Sequence, residues 1–135
     1  MGPGRRNSTV SSFEDLQVWK RAKELSADIY RELQNLKDFG FRDQITRSGL
    51  SVPSNIAEGF ERKSHKEFVV FLNYARGSCG ELRTQIHIGT DIGYISASVG
   101  NAWLAESKEI SAMIAALIKT TRGFIKETSK PKSPS

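Results

Sequence analysis

Apolar residues recur at helical spacing along most of this 135-residue chain. Over the first such region the recurring step is three or four residues, which brings the side chains onto one face of an α-helix. That face consists of Leu16, Trp19, Ala22, Ser26, Ile29, Leu33 and Leu36. The pattern predicts a first helix over about residues 13–37, capped by Ser11 or Ser12 and ended near Gly40.

A second helix is predicted over about residues 41–62, although a proline lies inside it. Its apolar face carries Ile45, Gly49, Val52, Ile56 and Phe60. Pro53 has no amide hydrogen and crowds the carbonyl four residues back, which belongs to Gly49. We therefore expect this helix to bend between residues 49 and 53.

Two more helices follow. Ser64 and Glu67 have the spacing of a capping box directly before an apolar run that starts at Phe68, so a third helix is predicted over about residues 64–92. After a connection at residues 93–98, a fourth helix carries Val99, Trp103, Ile110, Ile114, Leu117 and Phe124. Because short connections force successive helices to run in opposite directions, we expect an all-α, antiparallel, up-and-down four-helix bundle.

The net charge is concentrated at the two ends of the chain. Lys and Arg number 20 against 15 Asp and Glu, which gives +5. Residues 1–12 and residues 128–135 contribute +2 each and are rich in Gly, Pro, Ser and Thr, so we expect flexible tails there. A single bundle domain over residues 13–127 then carries +1 of the +5, and overall basicity is weak support for a nucleic-acid partner.

Several classes of protein are disfavoured. The longest stretch without a charged residue is the 14 residues of 92–105, shorter than the roughly 18 that a membrane helix needs. Cys79 is the only cysteine, which excludes an internal disulfide. The N-terminal residues lack the pattern of a secretory signal, so we expect a cytoplasmic protein without membrane association.

Motifs of catalysis and of metal or cofactor binding are missing from the sequence. It contains no GxxxxGK[ST], GxGxxG, HExxH, paired CxxC or GxSxG. His65 and His87 are interpreted as surface residues, and Cys79 as a buried apolar position. We therefore expect a protein that is not an enzyme and that binds no cofactor or metal.

A polar row accompanies the apolar stripe on each of the two middle helices. The rows are Ser51, Asn55, Glu58 and Arg62 on the second helix and Tyr74, Ser78, Glu81 and Gln85 on the third. Two interpretations stay open, either solvated flanks or contacts between helices or protomers.

Glycines and one apolar run favour contacts. Gly49, Gly59, Gly77 and Gly80 lie inside predicted helices, where each costs about 1 kcal/mol relative to alanine, which suggests close approach of another backbone. The run at residues 68–72 is apolar all round its helix, which indicates a second contact surface and self-association.

Several strings in this chain are family markers. They are SVPSNIAEG at residues 51–59, KEF at 66–68, FL at 71–72, ARGS at 75–78, EL at 81–82 and DLQVW at 15–19. Over about residues 13–120 the chain resembles the four-helix bundle family named for proteins encoded in intervening sequences of 23S ribosomal RNA. Its departure is Ser48-Gly49-Leu50, where the family more often has an alanine-rich turn.

The resemblance implies both an assembly and a set of motif positions. The assembly is a homopentamer, similar to the accessory protein of diversity-generating retroelements, whose ring binds nucleic acid and a reverse transcriptase. The motif positions here are Asn55, Glu58, Gly59, Ser78 and Glu81. We expect them to fix the second helix against the third, or one protomer against the next, through buried hydrogen bonds.

Two functions stay open. The first is a non-enzymatic oligomer that binds RNA or DNA. Its expected phosphate contacts are Arg42, Arg47, Arg62, Lys63 and Arg76. The second is a structural adaptor whose pentameric surface binds another protein, with no direct nucleic-acid role. For each of these cations taken singly, a solvated or ion-paired side chain is the simpler interpretation.

Overall fold

Four long helices make up most of residues 10–128, which are the residues that the computed structural model describes. Helix α1 spans Gln17–Glu32, α2 Phe39–Glu61, α3 His65–Asp91 and α4 Ala97–Thr128. A 3-10 turn at Phe13–Asp15 precedes α1. No β-strand occurs in this part of the chain. The predicted all-α class with four helices is confirmed.

Neighbouring helices run in opposite directions, as in an up-and-down bundle. Along α2 and α3 the contacting pairs are Phe41 with Gly89, Ser51 with Ser78 and Gly59 with Phe71. The pairs are Thr90 with Gly100 and Arg83 with Ser107 for α3 and α4, and Arg21 with Glu106 and Asp28 with Trp103 for α1 and α4. Helix α1 packs against α2 and α4. It therefore lies diagonally opposite α3.

The core consists of aliphatic side chains from all four helices. Its fully buried members include Ile29, Ile45, Ile56, Leu72, Leu82, Ile86, Ile110 and Ile114. Cys79 lies among them at 1% exposure, and burial raises the pKa of its thiol. The predicted role of Cys79 as a buried apolar position is confirmed.

The first helix begins later than predicted. The carboxylate of Asp15 accepts hydrogen bonds from the backbone amides of Ser11 and Ser12 at 3.1 and 3.2 Å, so the expected capping pair is present. It closes only the 3-10 turn, however, because Leu16 is extended. Helix α1 therefore starts at Gln17.

The first helix also ends earlier than predicted, and Gly40 does not end it. Helix α1 stops at Glu32, and Gly40 lies in the first turn of α2. The carboxylate of Asp38 accepts a hydrogen bond from the amide of Phe41 at 3.1 Å and so caps α2. This cap starts the second helix before the residue that was expected to end the first.

The other helices lie close to their predicted positions. The hydroxyl of Ser64 accepts from the amide of Glu67 at 3.1 Å, which confirms the predicted cap of the third helix. Pro53 is buried inside α2. The bend at residues 49–53 stays a prediction.

The predicted tails lie largely outside the described residues, which exclude 1–9 and 129–135. Residues 10–12 lead into the 3-10 turn, and α4 continues to Thr128, one residue beyond the predicted end of the domain. None of the helices over residues 10–128 combines the length and apolar character that a membrane crossing requires.

Candidate functional site

The two predicted polar rows meet at one point between α2 and α3. The hydroxyls of Ser51 and Ser78 are 2.7 Å apart, and the amide nitrogen of Asn55 donates to the Ser51 hydroxyl at 2.9 Å. The same nitrogen donates to the Ser51 carbonyl at 2.8 Å. Ser78 is only 7% exposed. These three residues, called here the hydroxyl cluster, are a contact between helices and not a solvated flank.

Gly59 lets the two helices approach closely beyond this cluster. A Cβ atom at Gly59 would lie 2.7 Å from Cβ of Phe71 and 3.0 Å from Cδ1 of Phe68. Two carbon atoms do not pack at such distances, because their attraction is greatest at about 3.5–4.0 Å. Any side chain at position 59 would therefore push α2 away from α3.

The remaining part of the α2 row is an exposed ion-pair network. Arg62 contacts Glu58 at 2.9 Å and Glu67 at 3.5 Å, and its guanidinium lies 4.8 Å from the centre of the Phe71 ring. The side chains of Glu58 and Glu67 are more than half exposed. Within one protomer, this part of the row fits the solvated-flank interpretation.

Two motif carboxylates therefore differ from expectation within one chain. Glu58 and Glu81 are both exposed, so they do not form the expected buried hydrogen bonds between α2 and α3. Glu58 lies only about 20° round α2 from Ser51, yet its carboxylate pairs with Arg62, whereas Glu81 is turned about 60° round α3 from Ser78. A role between protomers stays a prediction.

One side of α3 is not covered by any other part of residues 10–128. Val70, Tyr74, Gly77, Glu81 and Ile88 follow each other at helical spacing and are all exposed, Tyr74 by 56%. We call these five residues the outer face of α3. No atom lies within 4 Å of a Cβ built at Gly77. The close approach predicted from this glycine is not made inside one chain.

Two further residues beside the outer face show the same lack of partners. Gly80 also has no atom within 4 Å of a built Cβ. The side-chain oxygen of Gln85 is buried and accepts no hydrogen bond from residues 10–128. Such buried unpaired acceptors are uncommon in folded proteins.

The five cations expected to contact phosphate lie at separate places on the protomer. Arg42 lies near the start of α2 and Arg62 directly follows its last residue, so the two are 20 residues and about 30 Å apart along the helix axis. Arg47 is exposed between them, Lys63 is exposed in the loop after α2, and Arg76 is exposed on α3. One protomer does not bring them together.

Two of these cations are used by the chain itself. Arg42 donates to the carbonyls of Gln34 and Leu36 at 3.1 and 3.4 Å and lies over the Phe39 ring. Arg62 belongs to the ion-pair network described above. Both contacts reduce the freedom of these side chains to turn toward a ligand.

Arg76 has cationic neighbours that the sequence patterns did not single out. It lines a groove between α3 and α4 together with Arg83 and Lys108. The sequence could have predicted part of this group, because Arg76 and Arg83 are seven residues apart and share one face of a helix. Lys108 could not be paired with them without knowing how α4 packs.

Both histidines are exposed, as predicted. His65 borders an apolar cleft of about 710 Å³ and lies 5.6 Å from the Phe124 ring. Within residues 10–128, no three His, Cys, Asp or Glu side chains are grouped so that they could hold a metal ion.

The fold and its hydrogen-bonded α2–α3 contact define a member of the four-helix bundle class. Residues 14–116 match the family described as 23S rRNA-intervening sequence protein. The match covers more than half of the chain, so the protein belongs to that family, and the predicted resemblance is confirmed.

A solved structure agrees with this assignment. It is a protein with unknown function from the S23 ribosomal protein family of Bacteroides thetaiotaomicron. The two chains are 27% identical and superimpose with a TM-score of 0.71 over 76% of this chain and 98% of the other. None of the curated proteins matches this chain.

Proposed function

We propose that this protein is a non-enzymatic oligomer, formed by self-association of the bundle, that binds RNA. The observation that carries the proposal is the outer face of α3. It presents exposed apolar side chains and a bare glycine on a chain whose family is named for ribosomal RNA.

Self-association would explain why glycines stand at exposed positions of α3. Gly77 and Gly80 each cost about 1 kcal/mol of helix stability relative to alanine, and no atom of residues 10–128 lies within 4 Å of a Cβ built at either. A second protomer on this face would cover Val70 and Ile88, which are 45% and 48% exposed. It would also offer a donor to the unpaired oxygen of Gln85. The homopentamer that the resemblance implies is the assembly that we propose.

Assembly is also what would make RNA binding effective. Arg47, Lys63 and Arg76 are exposed, and no ion pair within residues 10–128 includes them. Scattered cations on a bundle of charge near +1 attract a polyanion weakly. A closed ring repeats each cation by symmetry and so places several along one bound strand.

The assembly is tested by the mass in solution. One chain weighs 15.0 kDa, so a pentamer would weigh about 75 kDa by sedimentation or light scattering. We expect Gly77→Glu to lower that mass, since the position is open within one chain and the variant should fold. Ser98→Glu adds the same charge at the start of α4 and should leave the mass unchanged. A wild-type mass of one chain at micromolar concentration would contradict the proposal.

RNA binding is tested by titration at several salt concentrations. A polyanion contact predicts that log K falls linearly with log salt, with a slope of about −0.7 for each phosphate neutralised on a single strand. Absence of binding at low salt, or a slope near zero, would remove RNA from the proposed function.

One observation favours a second function, which is a structural adaptor that binds another protein without touching nucleic acid. After the ends are set aside, the bundle carries only about +1. The adaptor would use the exposed apolar side chains of the assembled surface. It predicts that a protein co-purifies with the wild type after nuclease treatment and that RNA does not compete for it.

A further inference from the structure

A groove between α3 and α4 combines three cations with a floor of small residues. Arg76 and Arg83 line it from α3, and Lys108 lines it from α4. Its volume is about 260 Å³, and the remaining lining residues are Ser111, Ala112 and Ala115. The groove is therefore positively charged, and its small side chains leave space for a bound group beside the cations.

No ion pair within residues 10–128 neutralises the cations of this groove. Ion pairs among residues 10–128 involve Arg21, Arg31 and Arg62, and none involves a groove cation. The nearest carboxylates of α4 in sequence point elsewhere. Glu106 binds Arg21 of α1, and the pKa of Arg21 is raised first by that hydrogen bond and further by the charges of Glu106 and Glu109. Both glutamates therefore act on the α1 side of α4.

One of the arginines is held in place by a buried partner. A guanidinium nitrogen of Arg83 donates to the hydroxyl of Ser107 at 3.3 Å, and Ser107 is fully buried. The buried hydroxyl of Ser107 thus fixes the guanidinium of Arg83 at the side of the groove.

The groove is open because small residues stand between the cations. Ser111, Ala112 and Ala115 of α4 line it beside Lys108, and none of the three carries a large side chain. Ala112 follows Lys108 by four residues on α4. A guanidinium donates two parallel hydrogen bonds to phosphate oxygens, so the open floor between two arginines suits a phosphoryl group.

The cationic face continues along α4 beyond the groove. Lys119 and Arg122 follow Lys108 by 11 and 14 residues, which keeps all three on one side of the helix, and both are exposed. From Lys108 to Arg122 the helix rises about 21 Å. A line of cations of this length suits a chain of phosphates better than one free phosphate.

We infer that the groove between α3 and α4 binds the phosphodiester backbone of a nucleic-acid strand through Arg76, Arg83 and Lys108. The inference rests on the proposed RNA-binding function and names its site. It retains Arg76 from the predicted set and adds Arg83, about two turns further along α3, and Lys108 on α4.

The test compares two triple variants that lose the same charge. The first is Arg76→Gln, Arg83→Gln and Lys108→Gln together. The control is Lys20→Gln, Lys23→Gln and Lys37→Gln, whose exposed lysines lie on α1 and in the loop after it, away from α3. The probe is a labelled single-stranded RNA of 20 nucleotides, followed by fluorescence anisotropy from 50 to 400 mM KCl.

The groove variant should lose about two units of salt slope, because three contacts at about 0.7 each are removed. At 0.1 M salt this corresponds to about 100-fold weaker binding, whereas the control should stay near the wild type. If the two triple variants had equal affinities and salt slopes, the inference that this groove binds RNA would be wrong.

A single substitution keeps the test valid if the groove variant unfolds. Ala112→Glu places a carboxylate at an exposed position of the groove and should weaken RNA binding at low salt. Its control is Gln17→Glu, which adds the same charge at the start of α1. Unchanged affinity of Ala112→Glu would also overturn the inference.

Inorganic tripolyphosphate separates this inference from the proposed function. If wild-type protein binds no RNA but tripolyphosphate raises its melting temperature and not that of the groove variant, the RNA function fails and the groove stands as a phosphate site. If tripolyphosphate and RNA both leave the wild type unaffected, both proposals fail.

Discussion

The contact between α2 and α3 and the contact between α1 and α4 are built on opposite principles. The first depends on a missing side chain, since Gly59 admits Phe71, and on a short bond between the hydroxyls of Ser51 and Ser78. In the second, long side chains span the gap. Arg21 binds Glu106 with contacts of 2.6 and 2.9 Å, and the indole of Trp103 donates to Asp28 at 3.1 Å.

This difference shows where the sequence is constrained. A glycine contact tolerates no added atom, because the interior is already packed. A partly exposed ion pair tolerates change, because water replaces the lost partner. We therefore expect Gly59 and Ser78 of the first contact to tolerate less change than Arg21 and Glu106 of the second.

The largest expected effect comes from adding one methyl group to the α2–α3 contact. Gly59→Ala places Cβ 2.7 Å from Cβ of Phe71, an atom tied directly to the α3 backbone, so the helices must separate. Overpacking of this kind costs about 1–3 kcal/mol of unfolding free energy. Urea denaturation followed by circular dichroism measures the change.

Gly40→Ala is the matched control for this substitution. A Cβ at Gly40 would lie 3.6 Å from its nearest contact, an oxygen of Asp38, which is an ordinary distance. The control should gain about 0.5–1 kcal/mol from helix propensity alone. If Gly59→Ala gained stability as well, the close approach of α2 and α3 at this position would be wrong.

A smaller effect is expected from the hydroxyl cluster. Ser78→Ala removes a buried partner of Ser51, although Ser51 keeps its bond from Asn55. Losing one such hydrogen bond costs about 1 kcal/mol. Ser54→Ala, at an exposed position of α2, should change the unfolding free energy by less than about 0.5 kcal/mol. Equal effects of the two substitutions would mean that the cluster does not stabilise the α2–α3 contact.

The helices could be predicted because their signals are local. The apolar periodicity and the cap at Ser64 depend only on residues within a few turns of each other, and both appear in the structure. The end of the first helix was missed for a reason that is not local. Leu33 and Leu36 continue the apolar spacing beyond α1 because they pack against the core from its end and from the loop after it.

The candidate sites were predictable only in part. The polar rows contained all three residues of the hydroxyl cluster, since Ser51, Asn55 and Ser78 fall on flanks that turn toward a neighbouring helix. The same rows contained Glu58 and Glu81, which face solvent. Glu58 lies about 20° round α2 from Ser51, so the angle of a residue on its own helix does not decide whether the next helix reaches it. For the same reason Lys108 could not be placed beside Arg76.

The smallest expected effect is pH-dependent and belongs to the α1–α4 contact. The hydrogen bond from Arg21 lowers the pKa of Glu106 below its ordinary value of 4.5. A carboxylate with a lowered pKa stabilises the fold at pH values above its unfolded pKa, and this contribution is lost as the pH falls through the folded pKa. Because both side chains are about one-third exposed, the pair should contribute only about 0.2–1 kcal/mol.

Glu106→Gln should therefore lower the melting temperature slightly at pH 7 and make no difference well below pH 4.5. Glu24→Gln, at an exposed position of α1, serves as the control. If the deficit of Glu106→Gln persisted at pH values below the folded pKa of Glu106, where its carboxylate is protonated, it would come from packing and not from the charge, and the two helix contacts would resemble each other more than their geometry indicates.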